Sequence, residues 1–163
     1  MPLLSEEIII KEHPNFTHCR REGQSAKDVG NLILTNTRLV FLTRVMLHES
    51  KMERWQKLAK EGTAAEQIDF ALTLHKKNFN IPLSLLSSVK CKLYFSFPFP
   101  SLIMQISYMK GGSKKKGGKT MIFQFKQSFL RLLFRKSMLP LTVEWVSSVR
   151  EAIKNEEVSS VKA

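Results

Sequence analysis

The sequence predicts a mainly β domain of about seven antiparallel strands, capped by one C-terminal α-helix, with a helical hairpin inserted between strands at about residues 47–77. Three observations predict it. Runs rich in β-branched and aromatic residues recur between Gly, Pro and Asn punctuation, as in Ile8-Ile9-Ile10, Leu32-Ile33-Leu34 and Leu39-Val40-Phe41. The apolar period turns helical only twice, once in that middle stretch and once after Pro140. A length of 163 residues, 43% of them hydrophobic and 25% charged, fits one domain with a real core, and no apolar run approaches the ~18 residues that span a bilayer.

Taken in order, Ile8-Ile9-Ile10 is bounded by Glu7 and Lys11, and Pro14-Asn15 interrupts it before Phe16-Thr17-His18-Cys19-Arg20. That is one bent strand or two short ones. A polar loop lies between Gly23 and Gly30. From Gly30 to Leu42 two apolar runs flank Thr35-Asn36-Thr37, where Asn tolerates left-handed backbone angles, and this predicts a β-hairpin. Met52, Trp55 and Leu58 then recur at helical spacing, and after Gly62 a second helical segment carries Ala64, Ala65, Ile68, Ala71, Leu72 and Leu74. Thr63 and Glu66 stand at capping-box spacing for that second helix. The inserted pair reads either as a lid or partner-binding element or as helices packed on the sheet.

Strand character returns at Phe79–Leu83 and Leu86–Phe95, where Val89, Cys91 and Leu93 alternate with Lys90 and Lys92 in the pattern of a half-exposed strand. Phe95, Phe97 and Phe99 alternate with Ser96, Pro98 and Pro100, which restricts that piece to a strand end or loop. Leu102–Met109 and Thr120–Lys126 are strands joined by a Gly- and Lys-rich link, a long cationic hairpin loop. Pro140 and Glu144 suit a helix start, and Leu141, Trp145, Val149 and Ile153 recur at every fourth position. The domain is expected to span 1–157, with 158–163 a frayed tail.

Charge is the strongest compositional feature: 26 Lys and Arg stand against 14 Asp and Glu, a formal net charge of +12. It is unevenly placed. Between Asp69 and Glu144 there are thirteen bases and no acid, while the rest of the chain holds the other thirteen bases and all fourteen acids. That acid-free stretch also contains nine of the eleven Phe and both Tyr, so it is core-forming structure rather than a basic tail. A polyanionic partner follows: a phospholipid surface, nucleic acid or an acidic protein.

Order and residues together resemble the pleckstrin-homology-like (PH-like) barrel. Gly30-x-Leu32-x-Leu34-Thr35-x-x-Arg38-Leu39-Val40-Phe41 is similar to the central hairpin of the GRAM and GLUE branches of that superfamily. Ile81-Pro82-Leu83 with Leu86-x-x-Val89, then Ile122-x-x-Phe125 before a last helix, continue the likeness, and Glu6-Glu7-Ile8-Ile9-Ile10 resembles the opening strand of the GLUE domain in an ESCRT-II subunit. The resemblance covers the chain outside the helical insert and the loose ends. It implies phosphoinositide or other lipid binding, ubiquitin binding, or binding to another ESCRT subunit in membrane trafficking and protein transport; Thr35 and Arg38 belong to the pattern as turn and sheet residues.

The leading expectation is a non-catalytic module that binds an anionic membrane surface, cytoplasmic and peripheral to membranes. Its lipid-binding residues are expected to be Lys110, Lys114, Lys115, Lys116 and Lys119 in the Gly-rich link, extended by Lys90, Lys92 and Lys126. Phe97 and Phe99 form a candidate membrane wedge, or are simply core. Two other readings stay open: a monomeric protein-recognition adaptor whose partner is ubiquitin or an ESCRT-type subunit, and a basic nucleic-acid-binding domain. Against the last, no RNP-like, zinc-finger or helix-turn-helix pattern occurs. No enzyme is expected, because neither GxxxxGK[ST] nor GxGxxG is present and the basic stretch has no carboxylate for acid/base work. No cofactor or metal is expected either, since Cys19, Cys91 and the four His fall outside ligand spacings.

Overall fold

The computed structural model describes residues 6–44, 49–96, 99–109, 118–125 and 140–161. Its elements are β1 (Ile9–Arg21), β2 (Asp28–Thr35), β3 (Arg38–Thr43), α1 (Glu49–Glu61), α2 (Ala64–Thr73), β4 (Phe79–Pro82), a single 3-10 turn (Leu83–Leu85), β5 (Leu86–Ser96), β6 (Phe99–Tyr108), β7 (Lys119–Phe125) and α3 (Pro140–Val161). The seven strands form one curled antiparallel sheet in the order β4-β3-β2-β1-β7-β6-β5. With α3 packed in its hollow and a helical pair inserted between β3 and β4, this is the PH-like barrel architecture that the sequence predicts.

The bend is made in β1. Its pairing with β2 shifts register between Ile9 and Lys11 and again between His13 and Thr17, around Pro14, which has no N–H to give to a ladder. Only the part after the second shift, Thr17–Arg21, also pairs with β7. One strand therefore serves both halves of the sheet. The predicted hairpin is β2–β3, and the reason Gly30 is needed there is close approach: a Cβ at that position would lie 2.1 Å from the Leu42 carbonyl oxygen across the ladder.

Strand alternation sends Leu32, Leu34, Leu39, Phe41, Met104, Ile106, Met121 and Phe123 to the concave side, where they meet Trp145, Val146, Val149 and Ala152 of α3. Trp145 is fully buried and its ring stacks on Phe125 at 5.5 Å. On the convex side Ile33 and Val40 are covered by Ile68 of α2, so β2 and β3 are buried on both faces. The insert is thus packed on the sheet through α2. Helix α1 buries no residue and leans on α2, with Trp55 stacked 6.3 Å from Phe70. Thr63 and Glu66 form the expected capping box.

Two boundaries differ from expectation. Helix α3 continues to Val161, past the expected end at residue 157, and the hydroxyls of Ser159 and Ser160 donate back to the carbonyls of Asn155 and Glu157 in place of capping a turn. Strand β6 begins at Phe99 rather than Leu102, with Pro100 inside it opposite Phe95. There β6 has β5 beside it, whereas the β7 ladder begins only at Met104, and a strand bordered on one side tolerates a residue without an N–H.

Glu7, ahead of β1, is clamped at the β2–β3 turn. Arg38 donates to both of its carboxylate oxygens at 2.8 Å, and Thr35 and Thr37 donate to the same group at 2.7 and 3.0 Å. The side chains of Arg38 and Glu7 are only 15% and 10% exposed. Arg38 also reaches Asp69 of α2 at 2.6 Å, so one guanidinium joins the chain start, the turn and the insert. Burial alone would raise the Glu7 pKa; the hydrogen bonds from Arg38 and the two threonines, with the Arg38 charge, bring it below the ordinary value of 4.5. A carboxylate whose pKa is depressed by folding stabilises the fold fully above the unfolded-state pKa, and that contribution disappears as pH falls through the folded-state value. We therefore expect the melting temperature to drop on acidification below about pH 4.5, and the drop to be shallower in Glu7→Gln, which is already less stable at pH 7. Equal acid slopes in the two proteins, by thermal unfolding monitored by circular dichroism, would contradict this account.

Candidate functional site

Of the expected lipid-binding residues, Lys90, Lys92 and Lys119 lie among the described residues; Lys110, Lys114, Lys115, Lys116 and Lys126 lie outside them. Phe97 also lies outside, and of Phe99 only the backbone is described, at the first position of β6 opposite Ser96. The two ends of the Gly- and Lys-rich link are a paired antiparallel couple, Tyr108 and Lys119. Lys119 shares the alternation of Met121, Phe123 and Phe125, which places it on the concave side of the sheet at its rim. Lys90 and Lys92 alternate with Val89 and Cys91, which pack on the core, so both point out from the convex side and are exposed. The sheet thus brings Lys90 and Lys92 together and sets Lys119 on the opposite face.

The convex face carries more than those two lysines. Arg20 on β1 lies opposite Ile122 of β7, Ile122 opposite Gln105 of β6, and Gln105 opposite Lys90 of β5. Three strand spacings, about 14 Å, separate the ends of that row. A second row contains His18 opposite Gln124 on one side and Lys92 opposite Ile103 on the other. Between the rows is a shallow depression, open to solvent, lined by His18, Arg20, Lys27, Tyr94, Ile103, Ile122 and Gln124. Ile103, 6% exposed, makes its floor.

The polar groups of this face are oriented by one another. The Arg20 guanidinium lies over the Tyr94 ring, 5.2 Å from its centroid. Lys27 Nζ donates to Gln124 Oε1 at 3.3 Å, and Gln124 Nε2 donates to Ser101 Oγ at 3.0 Å, which fixes the amide's direction. Arg20, Lys27, Lys90 and Lys92 make no ion pair among the described residues. From His18 and Arg20 across β7 and β6 to Lys92, no outward position is a carboxylate. Cations left without counter-charges on one surface reinforce each other's field and attract anions over about a Debye length, ~8 Å at physiological salt.

Arg20, Lys27 and Tyr94 are the members that sequence reasoning missed. Outside the acid-free stretch, acids and bases nearly balance, so nothing singled out Arg20 or Lys27. Among the described residues, the fold engages four of the fourteen acids with other bases: Glu7 and Asp69 on Arg38, Asp28 on Lys77, and Glu144 on Lys11. The one readable signal was that Arg20 follows Cys19 in strand alternation and so faces outward.

Both cysteines are free; burial pushes the Cys19 thiol far up, and burial also raises that of Cys91 despite the nearby Arg150 charge. Such thiols are poor nucleophiles and poor metal ligands. No group of three or more His, Cys, Asp or Glu able to hold a metal ion occurs among the described residues. No helix among them is long and apolar enough to cross a membrane. Compared with known proteins, the chain matches no family model and no curated sequence.

Proposed function

We propose that the protein is a non-catalytic PH-like module of the GRAM/GLUE type that docks on anionic phospholipid surfaces in membrane trafficking. The observation that carries this reading is the run of outward positions from His18 and Arg20 across β7 and β6 to Lys92, none of which is a carboxylate, with Arg20, Lys27, Lys90 and Lys92 exposed or half-exposed and making no ion pair among the described residues. A lysine near an anionic membrane contributes about 1 kcal/mol. Lys90 and Lys92 together then account for roughly a thirtyfold gain in partitioning. The five cations of the Gly-rich link, from Lys110 to Lys119, belong to the same reading, although Lys119 sits on the other side of the sheet.

The test is sedimentation with phosphatidylserine-containing and pure phosphatidylcholine vesicles at low and high salt. Binding only to the former, weakened by salt and reduced about thirtyfold in Lys90→Gln/Lys92→Gln, is the expected result. Salt-independent binding, or equal binding to both vesicles, would overturn it, and tighter binding to a short oligonucleotide at the same ionic strength would move the assignment to nucleic acid. A second reading, recognition of ubiquitin or an ESCRT-type subunit, is supported by helix α1, which buries no residue and leaves Met52 40% exposed. Shift changes confined to α1 on titration with ubiquitin, without lipid, would favour it.

A further inference from the structure

We propose that the depression between β1 and the end of β5 is a phosphomonoester site, with Arg20 and Lys27 as its two cationic anchors and Tyr94 as the wall that holds Arg20 in place. The inference rests on the anionic-surface reading and adds a recognition element to it. General attraction to a membrane needs only exposed charge. Arg20 is different: its guanidinium carbon lies over the Tyr94 ring, 5.2 Å from the centroid, and this contact restrains the side chain. A guanidinium held this way loses less side-chain entropy when an oxyanion arrives, and its fork geometry suits phosphate. Lys27 is likewise held, by a single 3.3 Å hydrogen bond to Gln124 that leaves further ammonium donors available.

The lining selects the charge state of the ligand. Two cations and no carboxylate line the depression, and the His18 imidazole is among the lining groups. A phosphomonoester carries about −1.5 to −2 at pH 7, which matches two cations, whereas a phosphodiester or a carboxylate carries a single charge and leaves one of them uncompensated. The isoleucine floor of Ile103 and Ile122 offers nothing polar to the ligand's underside, so contact is through the rim donors to a terminal phosphate projecting into a shallow dish. Such a group is presented by a phosphorylated inositol lipid or by a soluble phosphomonoester.

The experiment titrates the full chain with a soluble inositol bisphosphate and, separately, with two vesicle types matched in total charge: phosphatidylcholine with a phosphorylated phosphatidylinositol, and phosphatidylcholine with phosphatidylserine. We expect chemical-shift changes at His18, Arg20 and Tyr94 with the soluble ligand. Arg20→Gln/Lys27→Gln should lower that affinity at least tenfold and remove the preference for phosphoinositide over phosphatidylserine vesicles, while phosphatidylserine binding is reduced but persists through Lys90 and Lys92. Tyr94→Leu, which keeps both charges, should weaken the soluble ligand severalfold by releasing Arg20. Lys90→Gln/Lys92→Gln should lower binding to both vesicles and preserve the preference. Binding of the soluble ligand without a vesicle preference would support the site and assign it to a free phosphomonoester. Unaltered affinity for the soluble ligand in Arg20→Gln/Lys27→Gln, with native circular dichroism, would overturn the site and leave the surface reading standing. Loss of all vesicle binding in the native protein would overturn the surface reading instead.

Discussion

Trp145→Ala is expected to lower the unfolding free energy by about 4 kcal/mol, within the ~3–5 kcal/mol range for truncating a buried Phe or Trp. Trp145 has 0% exposure, stacks on Phe125 with the planes 19° apart, and has the Lys11 ammonium 5.7 Å from its ring centroid. It shares one face of α3 with Val146, Val149 and Ala152, so its removal empties the middle of the helix–sheet contact. Trp145→Phe should cost far less. It keeps an aromatic ring against Phe125 and removes an indole N–H that is buried without a hydrogen-bond partner among the described residues, a group whose desolvation counts against the folded state. Urea unfolding of the two variants provides the comparison. A loss below about 1.5 kcal/mol in Trp145→Ala would mean that α3 is not docked on the sheet core in solution.

Arg38→Met should cost about 3 kcal/mol, and the reason is the carboxylate it leaves behind. Breaking a buried ion pair by deleting one partner typically costs ~3–5 kcal/mol, because the other charge stays desolvated. Here two threonine hydroxyls still donate to Glu7, which moderates the loss. The guanidinium's other contact matters less: the Asp69 side chain is 63% exposed, and exposed pairs contribute roughly 0–1 kcal/mol. Asp69→Asn should therefore be nearly silent. In a double-mutant cycle, Glu7→Gln/Arg38→Met should cost less than the sum of its single changes, since no buried charge is then stranded. Additive losses would show that the two side chains do not act as a pair.

Local chemistry made much of the fold legible. Asn36 between two apolar runs marked the β2–β3 hairpin, Thr63 with Glu66 marked the start of α2, and the four-residue recurrence from Leu141 to Ile153 marked the face that α3 buries. Each of those signals lies within a few residues of what it specifies. The Glu7–Arg38 clamp spans 31 residues, and although Arg38 was visible in a pattern, its partner was not, because the register between the start of β1 and β2 depends on two bulges. The surface was harder still. Arg20 meets Tyr94 only because β1 pairs with β7, β7 with β6 and β6 with β5, and Lys27 lies beside Asp28 in the chain while Asp28 pairs with Lys77 in the fold. Which acids a fold consumes internally decides which bases remain for a partner, and a charge count along the chain does not contain that information.

The root of the helical insert bears on how the chain reaches its fold. At that root the Asn78 side chain accepts from the Thr43 N–H at 2.7 Å and donates to the Ala71 carbonyl at 2.8 Å, closing β3 and β4 at the end of a 35-residue excursion between Thr43 and Phe79. Closing a loop of that length rather than a four-residue turn costs about 2 kcal/mol more in chain entropy. That cost shrinks once the Thr63 cap has nucleated α2, whose Ala71 carbonyl is the anchor for Asn78. A helical pair formed ahead of the β3–β4 ladder would shorten the search for it, because its contacts are local in sequence.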